Sequence, residues 1–176
     1  MTTITLDIAQ VNLAKDIGMR RATSYKPQFD GITAKKNYDL ERNGGVWQEF
    51  AAKQIDAVGA ECVVAKFMGL NNFKPLNGSF KDVADVGQNL EVKHTYKDNG
   101  NLIISSIDRD DDLAILVTGR MPTFSIIGWR PVIECKQDKY RSDRIRGDSY
   151  LIPRFDLYPL DQLIMIGACA YGYDQV

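Results

Sequence analysis

In VWQEFAAKQIDAVG, the apolar side chains Trp47, Phe50, Ala51, Ile55 and Val58 recur at three- and four-residue steps, with polar Gln54 on the same stripe. That period predicts an amphipathic helix, entered after Gly44-Gly45 and closed by Gly59. Upstream, residues 1–43 are polar and poorly periodic. They read as an opening arm with one short helix over residues 7–16 and a long loop. Downstream the period changes. ECVVAKFM reads as a strand, and LNNFKPLNGSF as a Gly/Asn/Pro-rich loop. DVADVG and NLEVKHTY are strand candidates. The turn KDNG then joins the second of them to NLIISSID in a predicted hairpin. Two more strands follow, LAILVTG and FSIIGWRPVIEC, then a basic connector, KQDKYRSDRIRG. The tail holds two strand- or helix-like segments, SYLIPRFDL and PLDQLIMIGACAYG. A helix followed by four to six strands and a mixed tail predicts an α/β fold with a mixed sheet, rather than a doubly wound parallel one.

Length and composition narrow this little. The 176 residues suit one globular domain, divided into the arm and loop of residues 1–43 and a main body of 44–176. An apolar fraction of 44% with 26% charged residues is that of a soluble globular chain. MTTITLDIAQ lacks the basic start and apolar run of a signal peptide, and no apolar stretch approaches the roughly 18 residues of a membrane span. A cytoplasmic, non-secreted protein without membrane partners is the expectation. Cys62, Cys135 and Cys169 are odd in number, far apart and set among apolar residues, which points to buried free thiols. The net charge of −1 means that any nucleic-acid binding must come from local basicity.

Candidate chemistry concentrates in ADVGQNLEVKHT. On a strand, Glu91 and Lys93 project to one face while Leu90, Val92 and His94 project to the other. Asp85 can come alongside because the intervening Gly87-Gln88-Asn89 turn is short. Two converging carboxylates make a hard-oxygen site suited to Mg²⁺. A lysine beside that ion can orient an attacking water, help to deprotonate it, or stabilise charge on a phosphoryl oxygen. The chemistry implied is hydrolysis of a phosphodiester. The bland rival is a salt bridge from Lys93 to Glu91 or Asp85 on an ordinary sheet.

The order of a helix, a strand and then D-x5-E-V-K resembles the core of the PD-(D/E)XK nuclease superfamily. GRMPTFSIIGW and YLIPRFDLYPLDQL are similar to small, often phage-encoded members of that superfamily. The resemblance spans roughly residues 44–165. It implies a restriction-endonuclease-like core, a mixed central β-sheet flanked by helices, and Mg²⁺-dependent cleavage of DNA, with Mn²⁺ as a substitute ion. By the same resemblance Asp85 and Glu91 hold the metal, Lys93 acts on the water or the transition state, and Glu49, on the preceding helix, joins the metal shell. A homodimer, common in the superfamily, and residence in a host cytoplasm also follow only from this likeness. The gap between Asp85 and Glu91 is shorter than is common there and no proline precedes Asp85, so Asp82 stands as an alternative acid. A catalytically inactive nuclease-fold protein binding DNA or a protein partner, or a phage assembly component, is the alternative function.

Other candidates are weaker. A second E-x-K, Glu134-Cys135-Lys136, could take its acid from Asp108–Asp112. That aspartate run fails as an EF-hand loop, because Leu113 replaces the turn glycine and Gly119 the bidentate glutamate. His94, the chain's single histidine, reads as a packed or polar-network residue. Lys136, Lys139, Arg141, Arg144 and Arg146, with Tyr140 among them, are candidate contacts to a phosphate backbone. Trp47 and Trp129 read as core.

Overall fold

The chain opens with a strand, Thr2–Thr5 (β1), and a 22-residue helix, Ile8–Phe29 (α1), where a polar arm with a short helix was expected. Asp7 starts the helix: its Oδ1 accepts the Gln10 N–H at 2.9 Å while Gln10 Oε1 accepts the Asp7 N–H at 3.2 Å, a reciprocal cap. The inward face is Val11, Ala14, Gly18, Arg21, Ala22 and Tyr25. The three- and four-residue steps are there, but small residues and an arginine hide them from a hydrophobicity reading. This computed structural model describes residues 1–29, 47–78, 82–143 and 148–170, without the side chains of 27–29 and 166–170.

The second helix, Trp47–Phe67 (α2), runs straight through Gly59, so ECVVAKFM is helix and not strand. Apolar runs of that length do not distinguish a buried strand from a buried helix. Gly59 is there for packing rather than termination. A Cβ at that position would lie 2.8 Å from Met121 Cε and 2.9 Å from Phe124 Cζ. Gly18 plays the same part between α1 and α2, where a Cβ would meet the Ile55 backbone at 2.4 Å. Gly18→Ala is therefore expected to force the two helices apart and destabilise the fold by about 1–3 kcal/mol, despite alanine's better helix propensity. A urea titration checks this; a neutral or stabilising result would mean that the helices are not in such close contact.

The main sheet has the order β1, Thr123–Pro131 (β5), Leu113–Arg120 (β4), Leu90–Thr95 (β2). It is mixed: β2 runs parallel to β4, while β4–β5 and β5–β1 are antiparallel. A register shift between Leu116 and Val117 inserts one extra residue in β5. That bulge turns the alternation over, so Phe124, Ile126 and Trp129 all enter the core under the helices. Leu102–Ser105 (β3) does not pair with β2 as the KDNG turn suggested. It pairs antiparallel with Ser149–Ile152 (β6) in a separate two-stranded sheet.

Two cores lie on opposite faces of the main sheet. One joins α1, α2 and the start of the last helix, Leu160–Ala170 (α4), to Ile115, Val117, Phe124 and Ile126. The other joins β3, β6 and a one-turn helix, Val132–Cys135 (α3), to Ala114 and Leu116. The chain is thus mixed α/β, with a mixed sheet flanked by helices. Among the described residues no helix is long and apolar enough to cross a membrane. Cys62 and Cys135 are buried and free, and burial pushes both thiols up to about 12, so they stay protonated.

Candidate functional site

The six-residue spacing from Asp85 to Glu91 is closed by a tight turn. Val86 and Leu90 exchange both backbone hydrogen bonds, at 3.0 and 3.1 Å, and Gly87 takes the left-handed conformation that the turn requires (φ 62°). Asp85 is thereby folded back along β2, where its Oδ2 accepts the Val92 N–H at 2.9 Å. Next to it, Lys93 Nζ lies 2.8 Å from Glu91 Oε1. The alternation of β2 is as expected. Glu91 and Lys93 stand beside Ala114 and Leu116 on the face of the small sheet, while Val92 and His94 face the helices.

Two further acids join this strand end. Asp108, with a side chain only 1% exposed, bonds Lys93 at 2.8 Å and also accepts the Ser105 N–H at 2.9 Å. Glu61, from the part of α2 expected to be a strand, interacts electrostatically with Asp85 and Glu91. It is gripped by Arg21 of α1 through two bonds, at 2.5 and 2.9 Å. The same guanidinium donates to the Leu76 carbonyl from Nε and Nη2, at 2.9 and 2.6 Å, tying down the loop after α2.

The electrostatics follow from burial. Desolvation, then Glu61, then Glu91 push the Asp85 carboxyl up to about 7, against the Val92 amide and Lys93. Burial pulls the Lys93 ammonium down, but Glu91 and Asp108 outweigh it and hold it above its ordinary value. Lys93 is therefore a cation at neutral pH. Burial pushes Glu61 up and Arg21 opposes, with Glu91 adding to the push. For Arg21, burial is outweighed by Glu61, and the guanidinium is held above its ordinary value. The two-pronged bond makes the ion pair the form we assign.

Glu49 lies elsewhere. It is exposed in the first turn of α2, twelve residues and so about 18 Å along the axis from Glu61. Glu61 is the acid of this helix whose charge acts on Asp85. Nothing in the local periodicity singles it out, though a glutamate inside the apolar run AVGAECVVAKF is a usable signal once that run is read as helix. Asp82 is exposed and contributes its carbonyl to Arg109, at 2.9 Å.

The aspartate run and the second E-x-K are supports for this site. Lys136 Nζ donates to the carbonyls of Ser106 (2.9 Å) and Asp108 (2.6 Å) and to Asp110 Oδ1 (2.6 Å), fixing the loop that presents Asp108. Arg109 grips the Asp112 carboxylate and reaches the carbonyls of Asp82 and Gln88, which flank Asp85. Glu134 sits on α3, where it accepts from Tyr158 Oη at 2.7 Å and pairs with Arg130 at 3.2 Å. Among the described residues Glu134 and Lys136 share no partner, although Lys136 does meet Asp110 of the aspartate run. In the basic connector, Lys139 lies 4.6 Å over the Tyr140 ring and Arg141 pairs with Asp148 at 2.9 Å. Arg144 and Arg146 lie outside the described residues. His94 is a packed residue: Nε2 donates to the Gly119 carbonyl at 2.9 Å, its ring meets Tyr96 and Phe124 edge-on, and burial lowers its imidazole. Trp129 is buried and donates to the Pro159 carbonyl at 3.0 Å; Trp47 is half-buried against Phe50.

The donors at this strand end are all hard carboxylate oxygens, suited to Mg²⁺ or Mn²⁺. Repulsion between Asp85, Glu61 and Glu91 is what a divalent cation relieves. Among the described residues no three acids, histidines or cysteines are gathered closely enough to hold an ion by themselves. Two carboxylates completed by water and substrate phosphate are a usual Mg²⁺ arrangement, and Asp85 and Glu91 fit it. No family model, curated protein or solved structure matches the chain.

Proposed function

We propose that this protein is a divalent-cation-dependent nuclease of PD-(D/E)XK type, with a restriction-endonuclease-like core, that hydrolyses phosphodiester bonds in DNA. The observation that supports it most is the turn that folds Asp85 back onto β2, beside Glu91 and Lys93, with a third acid, Glu61, close by. Asp85 and Glu91 supply oxygens for Mg²⁺ or Mn²⁺. A cation held there would supply Lewis acidity, lowering the pKa of a water and polarising the phosphate. Lys93 stays charged and pairs with negative charge developing on the phosphoryl oxygens. Asp108 keeps Lys93 oriented, and Glu61 sets the field at Asp85.

The test is cleavage of single-stranded, double-stranded and branched DNA with Mg²⁺ or Mn²⁺. Glu91→Gln is expected to lower the rate by at least about 100-fold while the protein stays folded. A wild type that cuts none of the substrates, or a Glu91→Gln variant that cuts equally well, overturns the reading.

A second reading, a nuclease-fold binding protein without catalysis, has one observation in its favour. Lys93 is already held by both Glu91 and Asp108, as in a purely structural ion network. Thermal melts with Ca²⁺ or Mg²⁺ separate the two. A metal site raises the melting temperature by ligand linkage, about 2.7 kcal/mol at a hundredfold excess over Kd, and loses the effect in Asp85→Asn. A structural network gives no carboxylate-dependent rise.

A further inference from the structure

Lys93 stands between two acids with different roles. Its Nζ lies 2.8 Å from Glu91 Oε1 and 2.8 Å from Asp108 Oδ2. Beside β2 is a cleft of about 1130 Å³ that Lys93 and Asp108 line, whereas Glu91 and Asp85 are not among its walls. The ammonium thus has one hold at the cleft and another on the acid whose field reaches Asp85.

Asp108 is the more firmly fixed of the two. Its side chain is 1% exposed against 16% for Glu91, and its Oδ2 also accepts the Ser105 N–H at 2.9 Å. Lys136 ties down its carbonyl and that of Ser106. Glu91, by contrast, has a second demand on it. Under the nuclease reading the same carboxylate gives oxygens to a divalent cation, and an ammonium and a divalent cation against one carboxylate repel each other. Glu91 can therefore serve the ion fully only by giving up Lys93. With a second acid already in place, Lys93 keeps a charged partner when that happens.

We infer that the Lys93–Glu91 contact is a latch that competes with cation binding, and that Asp108 is the positioning residue that keeps Lys93 at the cleft when Glu91 turns to the ion. The inference rests on the nuclease reading and deepens it by naming a regulation of that site. Calorimetric titration with Mn²⁺, without DNA, tests it apart from cleavage. Lys93→Gln removes the competitor and is expected to bind Mn²⁺ about tenfold more tightly than wild type. Asp108→Asn leaves Lys93 to Glu91 and is expected to bind it about fivefold more weakly. In the Lys93→Gln background the same Asp108→Asn change is expected to alter affinity by less than about twofold, because there is no lysine left to hold. Should Lys93→Gln alone not fold, as circular dichroism checks, the double variant strands no charge and is compared with Asp108→Asn, which it is expected to exceed in affinity by at least about tenfold. A Lys93→Gln variant no tighter than wild type overturns the latch. So does an Asp108→Asn loss equal in both backgrounds, which would mean that Asp108 acts on the ion directly; either result leaves the nuclease reading to the cleavage assay. Mn²⁺ bound by Lys93→Gln but not by wild type upholds the latch and overturns the nuclease reading. Mn²⁺ bound by none of the proteins overturns both.

Discussion

Asp85→Asn is expected to stabilise the fold at about pH 8 and, in the same protein, to abolish cation-dependent cleavage. Burial and the fields of Glu61 and Glu91 push the Asp85 carboxyl up to about 7. In the unfolded chain it ionises near pH 4. A raised carboxyl favours folding fully below pH 4, where it is protonated in both states. That contribution is lost as pH rises from about 4 through 7, because the unfolded chain releases its proton first. Above pH 7 the folded protein holds a disfavoured charge costing on the order of 2–4 kcal/mol. The amide keeps an oxygen for the Val92 N–H but brings an NH₂ that needs a partner, so the net gain expected is about 1–3 kcal/mol. Denaturant melts at about pH 8 and pH 4 measure it: the gain belongs to the higher pH alone. A variant less stable than wild type at pH 8 would show that Asp85 serves the fold and not a cation.

Arg21→Met is expected to be the most damaging single change to stability, by about 3–5 kcal/mol. Arg21 and Glu61 have side chains only 8% and 5% exposed, so removing the guanidinium leaves a buried carboxylate with no counter-charge. It also frees the Leu76 carbonyl. Replacing both partners, Arg21→Met with Glu61→Leu, is expected to recover most of the loss, because two apolar side chains leave no stranded charge. Urea titrations of the two single variants and the double complete the cycle. The coupling collapses if Arg21→Met costs under about 1 kcal/mol, the range of an exposed pair. Removing the Glu61 charge also removes one of the fields at Asp85. Glu61→Gln should therefore move the pH at which wild-type stability declines to a lower value.

The parts of the site that are local in sequence were legible. Strand alternation separates Glu91 and Lys93 from His94, and Gly87-Gln88-Asn89 is a turn short enough to bring Asp85 back. The remainder misled for identifiable reasons. Gly59 looks like a helix stop because glycine usually punctuates, yet it lies against Met121 and Phe124, more than sixty residues away. With the helix cut there, Glu61 fell into a supposed strand and Glu49 took its place as the candidate. The KDNG turn is real, but β3 follows it into a different sheet, where Leu102 and Ile104 are buried with Ile152.

Periodicity and turn chemistry alone thus determined β2, β4, the start of α2 and the pairing of a carboxylate with a lysine on one strand face. Those are properties of residues within one or two turns of each other, where geometry is set by backbone period. Tertiary structure alone decided that Arg21 answers Glu61, that Asp108 answers Lys93, and that Lys136 and Arg109 hold the loops carrying these acids. A buried charge must find an opposite charge or a hydrogen bond wherever the fold provides one. Which residue that is depends on helix packing and loop crossing over tens of residues, and no local pattern encodes it.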